Sequence, residues 1–254
     1  MGSSFDWKTQ VVVITGASAG IGAALAREIG RRGGSLVLAA RRRAELEEVA
    51  RSAGAPSAVV VADVTRREDV QALAKTALER FGHVDVWVNN AGRGISRSFM
   101  ELTDEDVDAM VRVNVKSALY GMQTILPHFK ERKRGHIVNV STMLSRVPFV
   151  SIRSAYCAAK QALNSLGETL RVELAKDYPD VRVACVLPGV VSTDFGLNAL
   201  GGGPDSRALP GAQPVEEVAA IIADAIEARR NGDVYMRPEA VQRVLDFYRG
   251  LASA

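Results

Sequence analysis

The chain has 254 residues, of which 47% are hydrophobic, and a formal net charge of +3. This length suits one large domain or two small ones, and the scattered arginines form no basic face for a nucleic acid. No apolar run is long enough to cross a bilayer, and residues 1–10 lack the charged and apolar segments of a signal peptide, so neither is expected.

Apolar β-type runs alternate with charged helical segments along the chain. The runs cover residues 11–16, 35–40, 57–63, 84–90, 136–141 and 181–189, with a shorter one at 232–238. Continuous apolar runs indicate strands that are buried on both faces of a parallel sheet. Helical patterns lie between them, at 43–54, at 66–82 and from 103–110 onward, where Thr103 is placed as a cap. The alternation predicts right-handed βαβ units in a single α/β domain.

One long stretch, residues 195–214, has neither pattern and is rich in Gly and Pro. Twenty such residues inside a compact domain are typical of a functional loop. We therefore expect a substrate lid or binding loop at 195–214.

The first predicted strand runs directly into the glycine-rich turn "TGASAGIG" at 15–22. Gly16, Gly20 and Gly22 stand where the strand becomes a helix, and Ile21 lies between the last two. Glycines allow a ligand to approach the backbone, and a helix N-terminus offers free N–H groups to a phosphate. The spacing is not the common G-x-G-x-x-G, and a tight turn that packs a helix on a strand is the alternative. Its position after the first strand favours a dinucleotide pyrophosphate site.

A tyrosine and a lysine are four residues apart in "SAYCAAKQAL" (154–163). In a helix, Tyr156 and Lys160 would share one face. The lysine stem could simply cover a half-buried tyrosine. Alternatively, the ammonium favours the phenolate and lowers the pKa of Tyr156, which would make it a tuned acid.

Four motifs together resemble the short-chain dehydrogenase/reductase family, in its single-domain branch of roughly 250 residues. They are "TGASAGIG" (15–22), "NNAG" (89–92), "YCAAK" (156–160) and "PG" (188–189), in the order and spacing of that family. The resemblance covers residues 10 to 240. It implies a doubly wound Rossmann-type parallel sheet of seven strands, in the order 3-2-1-4-5-6-7, with helices on both faces. It also implies hydride transfer between a nicotinamide dinucleotide and an alcohol or carbonyl.

The resemblance assigns catalytic roles to several residues. Tyr156 would exchange a proton with the substrate oxygen, while Lys160 lowers its pKa and holds the nicotinamide ribose. Asn114 would help to hold a water beside Lys160. The family's catalytic serine is where this chain departs from the pattern, because "NVSTML" offers Ser141 and Thr142, and the gap from Thr142 to Tyr156 is one residue longer than expected. We prefer Thr142 and keep Ser141 as the alternative.

The same resemblance implies a set of cofactor-binding residues. Asp63 and Val64 would lie at the adenine, and Asn89, Ala91 and Gly92 beside the adenosine and ribose. The nicotinamide end would be bound by Pro188, Gly189, Val190 and Thr193.

Three arginines, Arg41 to Arg43, follow the second predicted strand, where an NAD-specific fold places an acid. A guanidinium can bind a 2′-phosphate with two hydrogen bonds, and Ser18 could add a hydroxyl. A basic, solvated helix start is the alternative for at least one of them. We predict NADP(H) as the cofactor, with Arg41 as its main contact and Arg42 as the second.

Neither metal nor disulfide chemistry is expected. His83, His128 and His136 lack the spacing of metal ligands, and two cysteines, Cys157 and Cys185, are too few for a disulfide framework. We therefore expect a metal-free protein of a reducing cytoplasm.

The expected function is that of an NADP(H)-dependent oxidoreductase for a mainly apolar carbonyl or secondary alcohol. The apolar character comes from residues near the expected pocket, namely Met143, Leu144, Phe149, Ile152, Phe195 and Leu197. Four nearby arginines could bind an anion or face water: Arg93, Arg97, Arg146 and Arg153. A dinucleotide-binding sensor without turnover is the alternative function. A sugar-nucleotide epimerase of the longer family branch is disfavoured, because the chain has no room for its second domain.

Two expected helices, at 107–130 and 154–177, carry apolar residues on more than one face, among them Val111, Val115, Leu119, Met122, Leu163, Leu166 and Leu170. One face must cover the sheet, so the surplus predicts a homodimer or homotetramer.

Overall fold

Seven parallel strands form the centre of the computed structural model, which describes residues 5–252. They are β1 (Val11–Thr15), β2 (Ser35–Ala40), β3 (Ser57–Val61), β4 (Val86–Asn89), β5 (Gly135–Val140), β6 (Val181–Leu187) and β7 (Gly232–Tyr235). Their order is β3-β2-β1-β4-β5-β6-β7, and each neighbouring pair is parallel. The predicted seven-stranded doubly wound sheet is therefore confirmed.

The described helices are α1 (Gly20–Arg32), α2 (Arg43–Ala53), α3 (Arg67–Phe81), α4 (Asp104–Val111), α5 (Ser117–Glu131), α6 (Ser154–Leu174), α7 (Val215–Glu227) and α8 (Pro238–Ala252). Helices α2 and α3 end one residue before their predicted limits. Gly54 and Gly82 follow them with φ of 64° and 77°, a left-handed conformation that stops a helix and suits glycine. Thr103 caps α4 as predicted, by accepting a hydrogen bond from the Asp106 backbone N–H.

Alternating side chains of β1 enter two separate cores, because successive strand residues point to opposite faces. Val12 and Ile14 pack with α1, α2 and α7. Val11 and Val13 pack with α3, α5 and α6 on the other face. Helices on both faces explain why the strands read as continuous apolar runs.

The strand order reverses between β1 and β4. Strand β1 connects to β2 on one side, and the chain returns after β3 to place β4 on the other side. Open α/β sheets bind ligands at such a point, beyond the carboxyl ends of the strands. The loops that follow β1, β4, β5 and β6 meet at this edge, and all of the predicted motifs lie in or beside them.

Candidate active site

The glycine turn after β1 is packed too tightly for side chains at two positions. A Cβ on Gly16 would lie 2.8 Å from Ala91 Cα, and one on Gly22 would lie 2.5 Å from Gly16 O. Gly16 and Gly20 also have positive φ values of 66° and 54°. Helix α1 then begins after Ala19, which provides no side-chain cap, so the first N–H groups of the helix remain available to a ligand. This combination fits a pyrophosphate.

Asn90 holds this turn from the adjacent strand. Its Nδ2 donates to Thr15 O at 2.9 Å and to Gly16 O at 3.2 Å, while Thr15 Oγ1 accepts from the Asn90 and Ala91 backbone N–H groups. The sequence analysis assigned no role of its own to Asn90 and so missed its bracing of the turn. The asparagine pair "NN" (89–90) at the end of the adjacent strand was the signal that could have indicated it.

The side chain of Asn89, predicted to line the cofactor site, points elsewhere. Its Nδ2 donates to Asn139 Oδ1 at 2.9 Å, and its Oδ1 accepts from Trp87 Nε1 at 2.8 Å. Strand alternation explains the difference, because Asn89 is two residues from Trp87 and therefore points to the same buried face. Its amide stabilises the core between β4 and β5.

The arginine run after β2 divides into different environments. Arg42 Nη2 donates to Ser18 Oγ at 3.1 Å and also pairs with Glu45 at 3.3 Å. Arg41 is exposed, and its charge acts on the Asp63 carboxylate. Arg43 pairs with Glu47 on its own helix at 3.7 Å and is thus a solvated helix residue. Arg42 is therefore the arginine that contacts the glycine turn, whereas the sequence analysis predicted Arg41 as the main contact of the cofactor.

Two further predicted cofactor residues follow β3. Asp63 Oδ1 accepts hydrogen bonds from the Thr65 backbone N–H and hydroxyl at 3.0 and 2.8 Å, and Val64 is buried. These bonds keep Asp63 at the same sheet edge as Arg41.

Tyr156 and Lys160 lie one turn apart on α6, and both side chains are buried. Lys160 Nζ donates to Val140 O at 2.7 Å and lies 6.0 Å from the centre of the Tyr156 ring. A Cβ on Gly92 would lie 3.3 Å from Lys160 Nζ and 2.8 Å from Asn114 Oδ1. Residues from three parts of the chain thus meet around one point.

The pKa of Tyr156 does not follow the expectation from sequence. Burial raises it, Cys157 adds to the rise, and the Thr142 hydroxyl acts in the opposite direction. Burial also lowers the pKa of Lys160 to about 8. In this structure burial dominates the pKa of Tyr156, because the phenol is desolvated and the Lys160 ammonium bonds to Val140 O, so the lowering of that pKa by Lys160 stays a prediction.

Asn114 lies in a π-helical turn, Arg112–Lys116, that joins α4 to α5. Its Nδ2 donates to Arg93 O at 3.0 Å and to Met110 O at 3.1 Å, and its Oδ1 accepts from Arg93 N at 3.2 Å. Such π turns are frequent at functional sites. The turn points the amide of Asn114 at the loop after β4 and toward Gly92, beside Lys160.

The two candidate hydroxyls after β5 face different surroundings. Ser141 Oγ faces the interior, where Ser145 Oγ is 3.3 Å away and Lys160 O is 3.4 Å away. The Thr142 hydroxyl lies near enough to the Tyr156 phenol to oppose the effect of burial on its pKa, and its Oγ1 is 3.4 Å from Pro188 O. Thr142 therefore stays the preferred hydroxyl, with Ser141 as the alternative.

Residues 188–193, which follow β6, run beside both the Thr142 hydroxyl and the glycine turn. Pro188 O accepts from Met143 N at 2.8 Å, and a Cβ on Gly20 would lie 3.5 Å from Thr193 Cγ2. A Cβ on Gly189 would meet nothing within 4 Å, and Val190 is exposed. Residues 188–193 therefore border open space opposite the N-terminus of α1.

Several other features bear on function classes. Within residues 5–252, no group of three or more His, Cys, Asp or Glu side chains is arranged to hold a metal ion. In the same range, no helix has the length and hydropathy of a membrane span. Cys157 and Cys185 are both free thiols and buried.

Comparisons with known proteins agree with this architecture. The family model for short chain dehydrogenases matches residues 10–199. An uncharacterized oxidoreductase of Staphylococcus epidermidis is 35% identical over 195 residues, which cover 74% of this chain and 84% of that protein. An alcohol dehydrogenase from Thermococcus sibiricus, complexed with 5-hydroxy-NADP, has a TM-score of 0.78 at 31% identity and covers 89% of this chain and 95% of its own.

A short-chain dehydrogenase/reductase from Burkholderia phymatum, in complex with NAD, has a TM-score of 0.85 at 28% identity, with coverage of 94% and 93%. Family model, curated relative and solved structures all point the same way. The chain belongs to the short-chain dehydrogenase family of oxidoreductases.

Proposed function

We propose that this chain is an NADP(H)-dependent oxidoreductase that transfers hydride between the nicotinamide and a carbonyl or secondary alcohol of a mainly apolar substrate. The observation that carries the proposal is the convergence of Tyr156, Thr142, Lys160 and Asn114 at the carboxyl edge of the sheet, next to the uncapped start of α1. A protein that only binds a dinucleotide has no use for a phenol and a hydroxyl placed together.

The residues present fit a nicotinamide dinucleotide, which supplies or accepts the hydride when it is bound. The N–H groups of Gly20, Ile21 and Gly22 would hold the pyrophosphate. Lys160 would hold the nicotinamide ribose, and Thr193 together with Val190 would lie at the amide.

NADP(H) is preferred on the strength of this chain's own arginines, since the two solved structures above contain 5-hydroxy-NADP and NAD. The Arg42–Ser18 contact supports a 2′-phosphate site, and the exposed Arg41 adds positive charge beside it. We propose that both arginines contact the phosphate, because an acid in their place would repel it.

Tyr156 would hold the proton that a carbonyl oxygen needs on reduction. Burial keeps the phenol protonated, so its Oη holds a proton that it can donate to the carbonyl oxygen, and in the reverse direction the phenolate would accept the proton from the alcohol. Thr142 would donate a hydrogen bond to the same oxygen. Lys160 and Asn114 would pass a replacement proton through water, since both are buried beside Gly92.

The walls around Tyr156 support an apolar substrate. Phe195 lies 5.6 Å from the Tyr156 ring and remains partly exposed, as do Phe149, Ile152 and Leu197. Exposed apolar side chains beside a polar centre are typical of a small-molecule site.

We also propose that residues 195–214 form a lid in this single domain. Leu200 N donates to Gly94 O at 2.9 Å, and Ser96 N donates to Leu200 O at 2.8 Å, so the segment pairs with the loop after β4. With Phe195 against Tyr156, this pairing would place the lid over the substrate. The two free thiols suit the expected reducing cytoplasm.

The homo-oligomer stays a prediction, although some of the apolar residues on which it rests pack within the chain. Val115 packs in a cluster with Ile95 and Tyr156 of the same chain, and Val111 packs against that cluster, so part of the apolar surplus is used internally. We expect light scattering at micromolar concentration to give a dimeric or tetrameric mass, and a monomeric mass would contradict it.

The function is tested by a spectrophotometric screen of purified protein with NADPH and with NADH against aldehydes, ketones, imines and quinones. We expect NADPH oxidation with at least one carbonyl, and its loss in Tyr156→Phe. Tight NADPH binding without turnover on any carbonyl would instead support a sensor.

A further inference from the structure

The four arginines around the candidate site differ in their partners. Arg97 pairs with the Asp106 carboxylate at 2.7 Å. Arg146 pairs with Glu168 at 2.6 Å and with Asp233 at 2.9 Å. These two guanidinium groups are neutralised within the protein and are poor candidates for binding a substrate anion.

Arg93 and Arg153 have no acidic partner among residues 5–252. Arg93 is exposed, and its Nε donates to Asn198 O at 3.0 Å. Arg153 is only partly exposed, and its Nη1 donates to Ile95 O at 3.0 Å. Apart from that bond to a neutral carbonyl, its guanidinium N–H groups have no hydrogen-bond partner in the described part of the chain.

A cation that is partly removed from water without a counter-charge destabilises the fold, unless an anion compensates it. Burial lowers the pKa of Arg153, whereas at Arg146 burial is outweighed by Glu168 and Asp233, which raise the pKa. Of the four arginines around the site, Arg153 is therefore the one that an external anion would stabilise most.

The position of Arg153 connects it to the reacting centre. It directly precedes α6 and is three residues before Tyr156, with which it interacts electrostatically. A Cβ on Gly94 would lie 2.6 Å from Arg153 Nη1 and 3.0 Å from the Phe195 ring, so the guanidinium and this ring flank the same point. The next residue, Ser154, has a buried hydroxyl without a partner.

We propose that Arg153 is a specificity residue, which binds a carboxylate on an otherwise apolar carbonyl substrate. This inference rests on the proposed function and names its substrate class. A guanidinium binds a carboxylate through two parallel hydrogen bonds, and Phe195 and Ile152 beside it suit the apolar body. The substrate class is thus an apolar oxo acid, whose carbonyl meets Tyr156 while its carboxylate meets Arg153.

A purely structural role for Arg153 makes a different prediction. If the side chain only braces Ile95 and the lid, its loss would slow reduction of charged and neutral substrates alike. Matched pairs of an acid and its amide therefore separate recognition from bracing.

The experiment compares kcat/KM for three oxo acids and their primary amides, with NADPH: 2-oxo-4-phenylbutanoate, 4-oxo-4-phenylbutanoate and 5-oxo-5-phenylpentanoate. We expect wild type to prefer at least one acid over its amide. Arg153→Gln should reduce the acid-to-amide ratio by about 10- to 100-fold, the scale of a charged hydrogen bond. Arg153→Lys keeps the positive charge but cannot form two parallel hydrogen bonds, so it should recover part of the acid-to-amide ratio.

Arg93→Gln is the matched control, because it removes an arginine that also bonds to a backbone carbonyl at the rim. The acid-to-amide ratio of Arg93→Gln should stay within about twofold of the wild-type ratio. The loss of a charged contact with the substrate would change it by more than that. An equal loss for acid and amide in Arg153→Gln would overturn the inference in favour of bracing.

A binding experiment tests the inference even if the protein reduces none of the carbonyl compounds. Calorimetry should show that 4-phenylbutanoate binds wild type more tightly than 4-phenylbutanamide, and that Arg153→Gln abolishes this difference. Failure of turnover with a retained difference would reject the proposed function alone. Equal affinity for the two probes, with no acid preferred in the kinetic assay, would reject the role of Arg153.

Discussion

The glycine-turn region (residues 15–22 with 89–92) and the substrate wall (residues 142–153 with 190–203) meet at one sheet edge but are held in different ways. In the first, backbone lies directly against backbone, as at Gly16 and Ala91, with added hydrogen bonds from the Asn90 side chain. In the second, side chains from distant segments make the contacts, as Arg146 does with Asp233 and Phe195 with Tyr156.

This difference explains what each region can reveal. A turn that tolerates only glycine must appear in the sequence as a motif, so the cofactor end is readable. A wall built from side chains can change one contact at a time, so it carries the identity of the substrate without a motif. Arg153 illustrates this, because its importance appears only when the partners of the other arginines are known.

The largest expected effect lies where the two regions meet. Tyr156→Phe removes the proposed proton donor and keeps the ring, so we expect kcat to fall by about 10³-fold or more, within the range of acid–base catalysis. NADPH binding, measured by fluorescence titration, should change little.

Tyr120→Phe is the control, because Tyr120 lies on α5, where its ring contacts the Arg67 guanidinium. Turnover of Tyr156→Phe above a few per cent would show that the phenol does not carry the proton.

The next effect tests the hydroxyl of the substrate wall. Thr142→Val keeps the shape and removes the hydrogen bond, so kcat should fall by about 10²-fold, as for a lost oxyanion donor. Ser141→Ala should be mild, because Ser141 faces Ser145 and Lys160 O in the interior. Single-turnover rates decide between them, and the reverse ranking would assign the role to Ser141.

A smaller effect is expected in the glycine-turn region. Arg41→Ala and Arg42→Ala should each raise the KM for NADPH about tenfold, the scale of one charge-assisted contact, and leave the KM for NADH nearly unchanged. Arg43→Ala is the control, because Arg43 pairs with Glu47 on its own helix.

The two variants also rank the two contacts. A larger loss in Arg41→Ala would support the order expected from sequence, and a larger loss in Arg42→Ala the Ser18 contact. Equal losses for both cofactors, or a wild-type preference for NADH, would contradict the NADP(H) assignment.

The last prediction concerns stability and pH, in protein without added nucleotide. Burial lowers the pKa of Lys160 from 10.5 to about 8, so the folded state binds fewer protons than the unfolded state between these pH values. The free energy of unfolding should therefore gain up to about 3 kcal/mol from this group as pH rises from 8 to 10.5.

Lys160→Met lacks this dependence and is compared with wild type by urea unfolding. The variant should be the more stable protein near pH 7, and its advantage should shrink as pH approaches 10.5. A constant difference across this range would show that Lys160 is not desolvated.

Sequence patterns and motifs that span a few residues were sufficient to predict the architecture and the glycine turn. The strands, their parallel order and the capped start of α4 follow from short-range preferences and from the family motifs. The hydrogen bonds of the Asn89 side chain to Trp87 and Asn139 were not predicted, although the two-residue separation of Asn89 from Trp87 on one strand indicates that both point to the same face. Such patterns also gave no basis for the pKa of Tyr156, because desolvation depends on everything packed around the ring.

The order of the amino acids alone was enough to predict the doubly wound sheet, the family and the spacing that puts Tyr156 and Lys160 on one helix face. The βαβ alternation and the shared helix face follow from hydrophobic periodicity and helical geometry, which act over a few residues, whereas the strand order and the family follow from the resemblance of the four motifs. Three features became visible only in the folded chain: the influence of Thr142 on the phenol, the contact of Arg42 with Ser18, and the acidic partners that Arg146 has and Arg153 lacks within residues 5–252. Each of these depends on which side chains from distant segments come within a few ångströms, and chain-local preferences carry no information about that.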